Sequence, residues 1–304
     1  MDAPDLIANV AASTLRLATP LILAGMAGLL SYRVGLINIA LEGLMLVGAF
    51  CAVVIGFQAG SAWIGVLSAV AICTALGALF TLLTTDLRAN LIITGLAFNF
   101  LALGATAYLL QSLYGTSGTF APSGFTALQR WQVPLLTEIP YVGRVFFQHS
   151  PLVYVSWAAI PLTAIFLYRT YLGVHLRAVG ENSEAAVTAG VSVRKVRYLA
   201  LMLGGALCGL AGAHLAVSDL ALFRENMTGG RGFIALAAVY FAAGRPAMTA
   251  FACVLFGFFE AAQFRLQTVS NTPPQFFQML PYLMVVVMLV IVSIRQEMKK
   301  GTTA

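Results

Sequence analysis

Residues 34–85 carry one charged side chain, Glu42, in more than two helix-lengths of apolar sequence. A helix crosses the roughly 30 Å hydrocarbon layer with about 20 apolar residues. The run is too long to cross once, so it turns, and the polar, glycine-containing break Gln58-Ala59-Gly60-Ser61 marks the turn. Composition extends this reading to the whole chain. Of its 304 residues, 60% are hydrophobic and 9% charged, against roughly 25% charged in soluble domains. The expectation is an all-α, polytopic membrane helical bundle of about 8–10 spans, forming a single transmembrane domain over residues 1–304.

The apolar runs place spans near 15–30, 35–57, 61–83, 91–112, 151–168, 198–218, 230–243, 247–268 and 278–294. The N-terminus opens on Asp2 and Asp5, not on the basic stretch of a signal peptide, so the first run reads as a retained span. Segment 230–243 is short and contains Gly232, so it reads either as a crossing or as a re-entrant helix buried against protein. Residues 113–150 are too polar and broken to span and read as a long loop with one interfacial helix. Residues 169–197 are the most charged stretch. Placing that loop and the C-terminal tail inside puts eleven of the 17 Lys and Arg residues on the cytoplasmic side. By the positive-inside rule, the 113–150 loop and the N-terminus are then external and the C-terminus cytoplasmic. This distribution accounts for the net charge of +6 without nucleic acid.

The four cysteines lie singly in apolar runs and read as buried hydrophobes. The three histidines form no ligand spacing, so no metal site is expected. The informative polar residues lie inside spans. Asn38 and Glu42 are spaced to share a helical face, Glu260 shares one with Gln263 and Gln267, and Asn99 shares one with Thr106. An intramembrane carboxylate costs about 2.5–3.5 kcal/mol on insertion scales and rarely faces lipid. These residues are candidates for the wall of a wettable pathway or for interhelical hydrogen bonds that hold the bundle. The glycines Gly204, Gly205, Gly209 and Gly212 read as a packing face. Glycine-bounded segments preceding Glu42 and Glu260 hint at an internal duplication.

Within 169–197, Asn182 or Ser183 is placed to cap a helix of about two turns, Gly190 to end it and Ser192 to cap the next. Glu184-Ala185-Ala186 followed by Gly190 resembles the EAA motif of ABC importer permeases, the coupling helix that docks on the ATPase. The downstream Ile/Leu-x-Leu-Pro of that motif is absent; Val196-Arg-Tyr-Leu stands there instead. Over nearly its whole length the chain is similar to the permease family of branched-chain amino-acid, ribose-type and nucleoside importers. Gly35-Leu-Ile-Asn38-Ile-Ala-Leu-Glu42-Gly43, Leu255-Phe-Gly-Phe-Phe-Glu260-Ala and Arg177-Ala-Val-Gly-Glu-Asn resemble the nucleoside branch.

The resemblance implies a bacterial cytoplasmic (inner) membrane protein that forms the path for a nucleoside. It implies three partners: an ATP-binding cassette subunit, a second permease subunit, identical or homologous, and an extracytoplasmic binding protein. The chain has no phosphate-binding Gly-x-x-x-x-Gly-Lys-Ser/Thr loop, so no cofactor is expected on it and ATP and Mg belong to the partner. Glu184, Ala185, Ala186, Gly190 and Arg177 are the implied coupling residues; Asn38, Glu42, Asn99, Glu260 and Gln263 are the pathway candidates. Import of a sugar or branched-chain amino acid by the same family is the first alternative. An ion-coupled secondary transporter, in which Glu42 or Glu260 titrates, is the second. A membrane enzyme would need a cluster of nucleophile, base or metal ligands, and none is present in the sequence.

Overall fold

The computed structural model describes residues 3–132, 142–269, 276–277, 279–280, 283–287 and 290. Eleven helices are present among them: α1 (Ala3–Arg33), α2 (Leu41–Gln58), α3 (Ala62–Thr81), α4 (Leu91–Tyr114), α5 (Val142–Phe146), α6 (Pro151–Arg169), α7 (Tyr171–Glu181), α8 (Ser183–Thr188), α9 (Val193–Val217), α10 (Arg231–Phe241) and α11 (Pro246–Val269). Seven are long and apolar enough to cross a membrane: α1, α2, α3, α4, α6, α9 and α11. Most of the expected span at 278–294 lies outside the described residues.

Three boundaries differ from the sequence reading. α1 begins well before residue 15, because the stretch upstream of Thr14 has no helix breaker after Pro4. α2 starts at Leu41 instead of residue 35: Gly35 takes φ +76°, outside the helical region, and residues 36–40 form an irregular turn. α10 has 11 residues, about 16 Å at 1.5 Å per residue. That is half a bilayer core, so segment 230–243 contains a half-helix and not a crossing.

Burial sorts the spans into centre and rim. In α2, 78% of the spanning window is buried, and in α9 67% and α1 61%, whereas in α4 only 22% is. α2 is apolar all round, as suits a helix surrounded by others. α4 turns Phe100, Leu101 and Tyr108 outward.

The centre is held by close backbone approach. Lipid tails are as apolar as Leu, so helix association in a bilayer rests on van der Waals packing at small residues. On α9, Gly205 faces the Cys73 carbonyl of α3 and Gly212 faces the Met45 carbonyl of α2, each far too near to admit a Cβ. The glycine face expected from sequence is therefore the seam between α9, α2 and α3. α3 ends in a π-turn, Leu82–Asp86, which carries Asp86 to α9. Asp86 accepts hydrogen bonds from Arg194 and from the Tyr198 hydroxyl, both at 2.8 Å.

α1 carries Pro20 in its interior. Proline cannot donate to the carbonyl four residues back, which here is Arg16. His214 of α9 supplies the missing contact, with its Nε2 at 3.2 Å from that carbonyl. The Ser218 hydroxyl lies 2.9 Å from Nδ1, which fits a histidine protonated on Nε2.

The loop between α4 and α6 holds short strands the sequence did not suggest. β1 (Thr119–Phe120) pairs antiparallel with β4 (Phe223–Arg224), and β2 (Trp131–Gln132) with β3 (Gln148–His149). Fully buried Phe223 stands edge-on to Phe50 of α2, and Phe120 stacks on Tyr114 of α4. Aromatic contacts thus seat the β1–β4 pair on α2 and α4. The expected interfacial helix corresponds to α5, a single short turn.

Gly205→Val should place side-chain atoms on the Cys73 carbonyl and destabilise the bundle by about 3 kcal/mol or more. Gly104→Val, on α4 with open space around it, should melt within a few degrees of the wild type. Thermal unfolding of the detergent-solubilised chain, followed by size exclusion, separates the two; equal losses would place the seam elsewhere.

Candidate functional site

Two of the polar residues singled out in the spans, Glu42 and Glu260, meet at the start of α10. This half-helix begins inside the protein, after Gly229 (φ +54°) and Gly230 (φ +85°). The first N–H groups of any helix have no intrahelical acceptor, and inside a bilayer no water replaces one. Glu42, second residue of α2, supplies both acceptors. Its Oε1 accepts from the Gly230 N–H at 2.7 Å and its Oε2 from the Gly232 N–H at 2.6 Å. Use of both oxygens as acceptors is the pattern of an ionised carboxylate. Two charge-assisted bonds contribute about 1.5–3 kcal/mol each, and the positive end of the helix dipole adds to them. Together they offset the insertion cost of about 3 kcal/mol.

The glycine at 232 follows from this contact. A Cβ there would lie 2.6 Å from the Glu42 nitrogen, so only glycine lets the α10 backbone reach the carboxylate. α10 descends from this point to the end of α1, where Arg33 Nε donates to the Gly244 carbonyl at 2.8 Å. Glu42 and Arg33 therefore hold opposite ends of α10, about 16 Å apart along its axis.

Asn99 of α4 holds the start of α2 from the other side. Its Oδ1 accepts from the Gly43 N–H at 2.8 Å, and its Nδ2 donates to the Ile39 carbonyl at 3.0 Å. Asn38 does not lie on a helical face with Glu42, because α2 has not begun there. It is 1% exposed, and its Oδ1 accepts from the Ala40 N–H at 3.1 Å, turning the chain into the helix. Thr106 bonds within α4, to the Ala102 carbonyl, and does not join Asn99 in a lining stripe.

Glu260 of α11 pairs with Arg231, the first residue of α10, and both side chains are mostly buried. Gln263 is buried one turn further along α11. Arg231 also donates to the Met227 carbonyl at 3.0 Å. Sequence reasoning did not single out Arg231. The available signal was a lone arginine after Gly229-Gly230, at the head of an apolar segment too short to span. Glu42 and Glu260 thus serve the same half-helix from α2 and α11. Their positions, at the start of one helix and late in the other, do not correspond, so they give no support to duplication.

At the far end of α10, the 169–197 segment folds as α7, α8 and the start of α9. Asn182 caps α8, its Oδ1 accepting from the Glu184 and Ala185 N–H groups at 3.1 and 3.0 Å. Gly190 takes φ +82° and ends α8, and Ser192 caps α9. Glu184, Ala185, Val187 and Thr188 are exposed, with Val187 60% accessible. Ala186 points the other way, 4% exposed among Leu36, Leu176 and Val196. It anchors α8 to the bundle and is not part of its open face. Arg177 is on α7, over the Tyr168 ring, and not on α8. Among the described residues no group of His, Cys, Asp or Glu could hold a metal ion.

Glu42→Gln keeps one acceptor and leaves one buried N–H unpaired, a loss of about 1–3 kcal/mol. It should lower the melting temperature of the purified chain, and Glu42→Leu should lower it further. Gly232→Ala should behave like Glu42→Gln, because its methyl displaces the same carboxylate. A Gly232→Ala variant with wild-type stability and uptake would contradict this contact.

The architecture agrees with a solved ABC transporter, provisionally assigned to the metal-chelate type and captured inward-facing. It superposes with a TM-score of 0.52 over 94% of this chain and 85% of that one, at 15% identity, which is a likeness of fold alone. Sequence relatives are closer. A provisionally named glucose ABC transporter permease of Haloferax volcanii is 36% identical over 94% of this chain and 92% of its own. The guanosine ABC transporter permease protein NupQ of Bacillus subtilis is 35% identical over 95% and 93%. The nucleoside ABC transporter permease protein NupC of Lactococcus lactis is 32% identical, also over 95% and 93%. Residues 10–289 match the family described as branched-chain amino acid transport system / permease component. With seven apolar spans and a match over nearly its full length, the chain belongs to this family of multi-pass membrane permeases, transport components of ABC importers.

Proposed function

We propose that this chain forms the translocation path for a nucleoside, working with a separate ATPase, a second permease subunit and an external binding protein. The observation that carries the substrate is full-length similarity to a guanosine and a nucleoside permease, supported by the resemblance of the Gly35–Gly43 stretch, which contains Glu42, to the nucleoside branch. A sugar is the second reading, favoured by the Haloferax relative at 36% identity. Cells lacking other nucleoside carriers and expressing the complete importer should take up labelled nucleosides in an ATP-dependent way. Glucose and leucine in hundredfold excess should not compete. Uptake of glucose with no competition by nucleosides would select the second reading.

The same proposal puts α8 against the ATPase. Its exposed face is short, with two apolar side chains, Ala185 and the larger Val187, beside Glu184. Val187→Asp would bury a charge in that contact and should reduce ATPase co-purification and uptake about tenfold, with unchanged thermal stability. Ala186→Asp should instead destabilise the chain, since Ala186 faces inward. Wild-type ATPase capture and uptake by Val187→Asp would remove α8 from the contact.

The orientation follows from the arginines. Arg33, Arg88, Arg169, Arg177, Arg194, Lys195 and Arg245 gather toward the α7–α8 end, which supports a cytoplasmic position for that end. All four native cysteines are buried, so single reporters suffice. An impermeant thiol reagent on intact cells should label Ser123→Cys and spare Thr188→Cys; the reverse pattern would invert the topology.

A further inference from the structure

The α7–α8 end of the bundle contains a cavity of about 400 Å³ between the last turn of α1, the turn that follows it, α7 and the end of α10. Tyr32, Arg33, Leu36, Arg177, Glu181 and Tyr240 are among its walls. Two guanidinium groups converge there on one ring: Cζ of Arg33 lies 6.0 Å, and Cζ of Arg177 5.3 Å, from the centroid of Tyr168.

Arg33 is fixed in place by the Gly244 carbonyl and by the Tyr168 hydroxyl at 3.1 Å. Among the described residues, neither arginine has a carboxylate within ion-pair distance, and the buried Nε of Arg177 has no acceptor at all. Glu181 is the one acidic residue lining the cavity. Two guanidinium groups beside one ring, neither paired with a carboxylate, favour an anion, and the planar fork of Arg suits a phosphate.

The neighbouring surface indicates which phosphate. Tyr168 is in the last turn of α6, a spanning helix, so the cavity opens near the level of the lipid headgroups. Tyr171, Val174 and Arg177 follow one another at three-residue spacing along one face of α7. Tyr171 is 76% and Val174 49% exposed. The opposite face of α7 buries Leu176 and Val179 in the bundle. A helix that is apolar on its bundle face, and apolar leading to basic on its outer face, fits the bilayer interface. Basic pockets between helices at this level suit anionic headgroups.

We propose that this cavity binds the phosphate of an anionic phospholipid, held between Arg33 and Arg177, with the acyl chains lying along Tyr171 and Val174. The site does not depend on which solute the permease carries. Because α7 leads directly into α8, an occupied site also braces the segment that presents α8.

The full chain, purified in a zwitterionic detergent and titrated with single lipids under native mass spectrometry, tests this. Phosphatidylglycerol should bind about tenfold more tightly than phosphatidylcholine. Arg177→Gln should weaken phosphatidylglycerol about tenfold, the loss of one charge-assisted phosphate contact. Arg177→Lys retains the charge without the fork and should fall between the two, which keeps the test decisive if the glutamine variant is poorly folded. Arg169→Gln, an exposed arginine outside the cavity, should leave affinity within about twofold, as expected of a solvated charge. Equal affinity for the two lipids, or equal effects of the Arg177 and Arg169 variants, would overturn the site. Displacement of phosphatidylglycerol by equimolar inorganic phosphate would overturn the lipid assignment in favour of a soluble phosphate.

Discussion

A helix that starts inside a bilayer leaves N–H groups with no solvent to receive them, and the Glu42 carboxylate, through its bonds to Gly230 and Gly232, resolves that problem here. Its position dictates much around it. α2 must begin at Leu41, deep in the bundle, so that a side chain from its first turn reaches α10. The turn before it must then be sealed, which Asn38 and Asn99 do by taking the free N–H and C=O groups of residues 39–43. Gly232 must lack a Cβ. Arg231, the next charge along, is neutralised by Glu260 from α11. Polar groups from α2, α4, α10 and α11 therefore form one connected set, in which most members satisfy backbone.

This set is mounted on a scaffold with little freedom of its own. Where α9 meets α2 and α3, backbone faces backbone across Gly205 and Gly212, and such packing yields poorly to small shifts because the lost contacts have no solvent substitute. α10 is different. It is short, preceded by the irregular stretch from Ser218 to Gly230, and followed at once by the tight turn at Ala243 (φ +47°) and Gly244 (φ +64°). Side chains fix its two ends, Glu42 and Glu260 at the start and Arg33 at the other, and Ile234, Ala235, Ala238 and Val239 pack its middle into the core. Its ends are thus held by polar contacts, and its middle by the same apolar packing that holds the spans around it.

The spans were readable because apolar runs of about 20 residues have few alternatives in a bilayer. The α8 segment was readable because its signals are local: Asn182, Gly190 and Ser192 act on neighbours within four residues. What escaped was every contact that joins distant segments. Glu42 and Gly230 are 188 residues apart, and nothing in the spacing of either says that a carboxylate will cap a helix from another span. Periodicity placed Asn38 on the face of Glu42 by assuming a helix from residue 35, whereas Gly35 at φ +76° interrupts it. Ala186 looked like part of an open docking face because small residues serve both for close approach and for burial. Only the direction of α8 relative to α1 and α9 distinguishes the two.

That direction has a mechanical consequence. Gly180, near the end of α7, lies against the Arg33 carbonyl and beside Gly35, with no room for a side chain. Gly35 opens the turn that ends in Leu41, and Glu42 follows. From α8 the chain therefore runs one turn back to Gly180, crosses by direct backbone contact to residues 33–35, and reaches the carboxylate that holds α10 seven residues later. Gly180 leaves no clearance there, so α7 and the turn that leads into α2 are packed backbone against backbone. Three residues of the Arg177-Ala-Val-Gly180-Glu-Asn182 stretch thereby have structural roles: Arg177 meets Tyr168, Gly180 meets α1, and Asn182 starts α8.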